Sequence, residues 1–122
     1  MKIKKLNCNF FSHLYLAYNC SEQQYVDYLN KDSKYNWFVD NNIGSTAHYV
    51  NKQRVFKIVI WIDQKREKSN ILRTIYHEVG HGLIKIFERV DSKIEDSTSE
   101  LFLYAQEEIV NQILEIFKKS KK

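Results

Sequence analysis

The clearest pattern in the sequence is a helical spacing of apolar residues in the second half of the chain. Intervals of three and four residues predict one helix from about residue 69 to 90 and a second from about 97 to 118. Ser69 is the predicted N-cap of the first helix, and Leu72 marks the centre of its apolar stripe. The stripe is formed by Leu72, Ile75, Tyr76, Val79, Leu83, Ile86, Phe87 and Val90.

Apolar and β-branched runs predict strands in the first half. Residues 2–18 carry a loose strand signal, and residues 47–50 and 55–62 are typical of two strands joined by a short loop. The run 55–62 is almost continuously apolar, which favours a central strand, although such a strand could also offer an edge to an extended peptide. Ser21 and Gln24 form a capping-box pattern that opens a short helix. The order of strand, helix, hairpin, helix and helix predicts an α+β fold with a small mixed sheet.

Composition restricts the class of protein. A chain of 122 residues with 43% hydrophobic residues fits one globular domain spanning 1–122. The net charge of +4 comes mainly from lysines near the two ends, so it gives little support to nucleic-acid binding. No apolar run reaches the roughly 18 residues that a membrane helix needs, and two cysteines without metal-site spacing suit a reducing compartment. We therefore expect a cytoplasmic protein.

The chemistry is concentrated in residues 77–81, which have the pattern HExxH. Four residues separate His77 from His81, so a helix brings both imidazoles to one side, within reach of a single tetrahedral Zn²⁺ ion. Glu78 is the predicted general base, and its alternative is an exposed glutamate paired with Lys85 or Arg73. Isolated histidines are more often structural than ligands, and we expect that of the two histidines outside the motif, His13 and His48.

A third protein ligand is needed, and the spacing leaves it open. The acidic candidates that follow the motif are Asp96, Glu100, Glu107 and Glu108. Glu100 and Glu107 are seven residues apart and share one helix face, so periodicity does not choose between them. Ser97 and Glu100 also form a capping-box pattern, which would give Glu100 a purely structural role.

The motif followed by Glu100 and Tyr104 resembles the short zinc peptidase-like proteins encoded by phages and prophages. It is also similar to the wider zincin group that includes the ImmA/IrrE-type peptidases. The resemblance is specific only between Ile71 and Ala105, and the chain departs from the phage pattern at Leu101, where proline is common. It implies a minimal zincin fold with a glutamate at the start of the next helix as third ligand. Glu100 matches that position, with Glu107 as the alternative.

Two functions follow from this reading. The first is a zinc metalloendopeptidase acting on a peptide or protein in a bacterial host cell, with His77, His81 and Glu100 as ligands and Glu78 as base. Tyr104, one turn after Glu100, is a candidate donor to the developing oxyanion. The second is an inert zinc-binding protein that sequesters a host factor on the same scaffold.

Overall fold

A computed structural model describes residues 1–65, 70–90 and 96–120, and of residues 96 and 97 it describes the backbone only. The described part is an α+β fold, as the sequence predicts: a four-stranded mixed sheet and three helices. The strands are β1 (Lys2–Lys5), β2 (Leu14–Tyr18), β3 (Gly44–Val50) and β4 (Phe56–Ile62), and the helices are α1 (Glu22–Asp32), α2 (Ile71–Arg89) and α3 (Asp96–Ser120).

The sheet has the strand order β1-β2-β4-β3. β2 and β4 are parallel neighbours at the centre, while β1 and β3 are antiparallel edge strands. β3 pairs with β4 from Gly44 opposite Ile62 to Val50 opposite Phe56. This register places Gly44, Thr46 and His48 on one face of β3, because alternate residues of a strand share a face.

Each face of the sheet packs against its own layer of helix. Leu16, Ile58 and Ile60 form one core with α2 and α3, and the apolar side of α2 buries Val79 and Ile86 there. On the opposite face, α1 covers a second core built from Tyr25, Val26, Leu29, Val59 and Trp61, among others. The long motif helix is therefore fixed to the sheet along one side and exposed along the other.

Most local predictions are confirmed, and three are corrected. The capping box of Ser21 and Gln24 opens α1. The signal over residues 2–18 is two strands and not one. Val55–Ile62 is wrong as a peptide-binding edge, because β4 has a strand on both sides. Leu72 is 47% exposed and is not the centre of the buried stripe of α2. The predicted N-cap Ser69 lies outside the described residues.

Among the described helices, none combines the length and the apolar character needed to cross a bilayer.

Candidate metal and catalytic site

The two motif histidines meet on the exposed side of α2. Their Nε2 atoms are 3.0 Å apart, and their rings are nearly perpendicular, with an interplanar angle of 85°. Two Nε2 atoms bound to one tetrahedral zinc would be about 3.3 Å apart, since Zn–N bonds are about 2.0–2.1 Å long. The nitrogen pair formed by His77 and His81 therefore fits such an ion after a shift of a few tenths of an ångström.

Glu78 lies on a different side of the helix from the imidazoles. Only 8% of its surface is exposed, although glutamate is a charged residue, and its side chain faces the edge strand β3. The hydroxyl Oγ1 of Thr46 lies 2.7 Å from Glu78 Oε1 and 2.8 Å from the backbone carbonyl oxygen of Glu78. The hypothesis of an exposed glutamate paired with Lys85 or Arg73 is therefore wrong, and Lys85 instead pairs with Glu88 at 3.4 Å.

Glycine brings the edge strand close to this carboxylate. A Cβ atom on Gly44 would lie 2.8 Å from Thr74 Cγ2 and 3.0 Å from Glu78 Cγ, distances that real Cβ atoms do not tolerate without a shift of their neighbours. The two helix glycines differ from it. At Gly80 a Cβ would approach only the Gln106 amide, at 3.3 Å, and at Gly82 it would make ordinary contacts from 3.5 Å outward.

The contacts between α2 and α3 set the position of the acidic candidates. Phe87 packs edge-on against Phe102, and Gln106 Nε2 donates to the carbonyl oxygen of Tyr76 at 3.0 Å. The helices are thus antiparallel, and the turn that holds Gln106 lies beside the motif. Glu107 follows directly on that turn. Glu100 precedes Phe102, in the N-terminal part of α3 that lies near the C-terminal end of α2. At 1.5 Å per residue it is roughly 9 Å from Gln106 along the helix axis.

No three histidine, cysteine or acidic side chains converge on one point within residues 1–65, 70–90 and 98–120. Glu100 and Glu107 are both exposed on α3. Asp96 has no described side chain, so that candidate lies outside the described residues. Because α3 already includes Asp96, Ser97 is inside the helix, and the capping box proposed for Ser97 and Glu100 does not match the helix start.

Tyr104 and Glu108 lie on the side of α3 that faces the N-terminal segment, and at about 100° per residue Tyr104 is only about 40° from Glu100 around the helix. Both line a small cavity of about 130 Å³ that is bordered by residues 7–10. At about 100° per residue, Tyr104 and Gln106 point some 200° apart around the helix. The structure therefore does not bring Tyr104 to the side of α3 that contacts α2, and its role as an oxyanion donor stays a prediction. It is 67% exposed.

The remaining histidines have separate surroundings. His13 Nδ1 lies 3.3 Å from the hydroxyl of Tyr15, and the His13 carbonyl accepts from the backbone of Ile58. His48 lies on β3 with much of its surface exposed, and the partial burial of its ring, followed by the positive charge of Lys85, lowers its pKa.

Thr46 and Gly44 are functional candidates that the sequence did not reveal. Residues 31–46 have the composition of a loop, and nothing local links position 46 to position 78. One signal was the period of two that links Gly44 and Thr46 to His48 in the predicted strand 47–50, and it would have extended β3 by three residues. Thr46 and Glu78 come together only through the packing of β3 against α2.

Comparison with known proteins adds no family assignment: no family model, no curated protein and no solved structure matches the chain.

Proposed function

We propose that this chain is a zinc-dependent endopeptidase. The observation that carries the proposal is the pair of Nε2 atoms of His77 and His81, 3.0 Å apart on the exposed side of α2, with a buried glutamate between them in sequence. Two converging imidazoles and a neighbouring carboxylate are the chemistry that metal-assisted hydrolysis requires. The third ligand in this proposal comes from α3.

When bound, zinc lowers the pKa of a coordinated water towards about 7 and polarises the substrate carbonyl. Glu78 supplies the base. One of its oxygens, Oε1, accepts from Thr46, and the other, Oε2, would take the proton of the attacking water and deliver it to the leaving amine. Around the helix, Glu78 and His81 are about 60° apart, so the carboxylate stands between the imidazoles and the edge strand.

The two edges of the sheet differ in a way that favours an extended peptide as substrate. β1 has four residues, three of them lysines, and such short charged edges resist pairing with another chain. β3 has seven residues, none of them lysine, arginine, aspartate or glutamate, and the pKa of its histidine is lowered. On its outer side no described strand pairs with β3. A peptide added to this edge would lie beside Glu78, because Thr46 belongs to both the strand and the Glu78 contact.

Exposed apolar side chains precede the same edge. Phe38 is 80% exposed, Val39 40% and Ile43 45%. The segment that carries them is held in place from α1: Asn30 exchanges two hydrogen bonds with the backbone of Trp37, at 2.7 and 3.2 Å. An ordered loop with exposed apolar side chains is suited to contacting apolar residues of a bound chain.

These same side chains favour the second candidate, a zinc-binding protein that sequesters a host factor without cleaving it. The two candidates differ in their need for Glu78. We expect the zinc-loaded protein to cleave members of a random peptide library, and Glu78→Gln to retain zinc while losing cleavage by about a hundredfold or more. If the wild-type protein holds one zinc per chain and cleaves nothing, the sequestering function replaces the peptidase.

A further inference from the structure

We infer that Thr46 is a positioning residue that holds the Glu78 carboxylate in one orientation from the edge strand. The inference rests on the proposed function, since it assigns a role within the same site. Its basis is geometric: the Thr46 hydroxyl contacts both the side chain and the main chain of Glu78, at 2.7 and 2.8 Å.

This double contact constrains more than a single hydrogen bond does. The Thr46 hydroxyl has one proton and lies within hydrogen-bond distance of two acceptors of the same residue, the carbonyl oxygen and Oε1 of Glu78. The bond to the carbonyl oxygen fixes β3 against α2, and the contact with Oε1 fixes the side-chain torsions of Glu78. Oε2 then has a defined direction, because the two oxygens of a carboxylate are rigidly related.

The surroundings leave the side chain little freedom. Thr74 and Glu78 lie so close to Gly44 that a Cβ there would meet both of them at 3.0 Å or less. On the opposite face of the strand, the Ser45 hydroxyl lies 3.4 Å from the hydroxyl of Tyr25. Ser45 therefore faces the second core and not Glu78, whereas Gly44 and Thr46 face Glu78.

Orientation of this kind affects reaction more than binding. A catalytic group that is misplaced by about 1 Å can lose about a hundredfold in rate while substrate contacts are unchanged. The Thr46 side chain faces α2, and both hydrogen bonds of its hydroxyl go to Glu78. Its removal should therefore reduce kcat and leave KM almost unchanged.

The test compares Thr46→Val, which keeps the shape but removes the hydroxyl, with Thr46→Ser, which keeps the hydroxyl. Ser45→Ala on the opposite face of β3 is the matched control. The first readout is the carboxyl ¹³C resonance of Glu78 in zinc-free protein, identified by its absence in Glu78→Gln. We expect the chemical shift of this resonance to change in Thr46→Val and to be unchanged in Thr46→Ser and Ser45→Ala.

The second readout is kinetic, on a peptide that the zinc-loaded wild-type protein cleaves. Thr46→Val should lose about tenfold to a hundredfold in kcat with KM little changed, and Thr46→Ser should recover most of it. An unmoved Glu78 resonance in Thr46→Val, or equal losses in the valine and serine variants, would overturn the inference. If the wild-type protein cleaves no peptide, the proposed function fails, and the resonance alone decides the role of Thr46.

Discussion

The Nε2 atoms of His77 and His81 lie 3.0 Å apart, with both rings on the exposed side of α2. Two neutral imidazoles at this distance need either a proton on one of the two Nε2 atoms, which then donates to the other, or a cation that both lone pairs bind, because two unprotonated nitrogens would repel each other. Exposure leaves an ion free access to both nitrogens. The first prediction follows from this pair.

Zinc should stabilise the folded protein. At a free zinc concentration a hundredfold above Kd, we expect Tm to rise by about 10 °C, because the ion binds only the folded arrangement of the two histidines. Chelation should reverse the shift, as measured by differential scanning fluorimetry. His81→Ala should abolish it and His48→Ala, the control, should keep it. An unchanged Tm of the wild-type protein on addition of zinc would contradict the prediction.

The third ligand should reside on the turn of α3 that faces the motif. Gln106 donates to the Tyr76 carbonyl there and lies beside Gly80, which favours Glu107, whereas the family resemblance favours Glu100. Loss of a residue that only orients a ligand weakens metal binding by about tenfold to a hundredfold. We expect Glu107→Ala to weaken zinc binding by more than that. Glu100→Ala is the matched comparison in a competition titration. The reverse order of affinities would return the role to Glu100.

Glycine should be required at position 44 and not at position 82. Gly44→Ala forces Thr74 or Glu78 to move, so we expect a loss of about 1–3 kcal/mol in the free energy of unfolding. Gly82→Ala finds room for its methyl group and should gain about 1 kcal/mol from helix propensity. Chemical denaturation of both variants measures the difference. A stable Gly44→Ala protein would show that the strand does not approach α2 this closely.

A buried ion pair on the other face of the sheet should stabilise the fold. Lys57 Nζ lies 2.7 Å from Asp32 Oδ2, with both side chains less than one-fifth exposed. We expect Asp32→Asn to cost about 2 kcal/mol, since it leaves the Lys57 ammonium without its anionic partner and with the Tyr28 hydroxyl as its remaining acceptor. The exposed pair of Lys85 and Glu88 is the control, and Glu88→Gln should cost less than about 1 kcal/mol. Equal costs in urea denaturation would contradict the prediction.

The same pair predicts the pH range of that stabilisation. Burial raises the pKa of Asp32, but hydrogen bonds from Lys57 and Tyr49 outweigh it and hold the pKa below its ordinary 3.8. Burial lowers the pKa of Lys57, and hydrogen bonds with Asp32 and Tyr28 raise it above 10.5. The stabilisation should be complete between these two pH values. It should be lost below 3.8 as Asp32 is protonated and above 10.5 as Lys57 is deprotonated, and Asp32→Asn should remove the acid part of the dependence.

Local signals in the sequence predicted local structure. Ser21 and Gln24 predicted the start of α1 correctly, because both partners of a capping box lie within four residues of sequence. The four-residue spacing of His77 and His81 likewise needs only a helix. The apolar period of α2 was correct, but its centre was not: Leu72 is exposed because the sheet below α2 covers Ile75 and Val79 instead.

Features that depend on distant segments were beyond local patterns. The burial of Glu78 results from β3, which approaches through Gly44 and lies more than 30 residues away in sequence. The parallel pairing of β2 with β4 also joins strands separated by α1 and β3. Which of Glu100 and Glu107 lies beside the motif depends on the axial position of α3 relative to α2. The apolar period of a helix carries no information about that position.

Anomalous X-ray diffraction at the zinc absorption edge, on crystals grown with zinc, tests the central claim most directly. We predict a strong peak about 2.0–2.1 Å from Nε2 of both His77 and His81. An ordered site without that peak, with the two imidazoles still hydrogen-bonded to each other, would contradict the account.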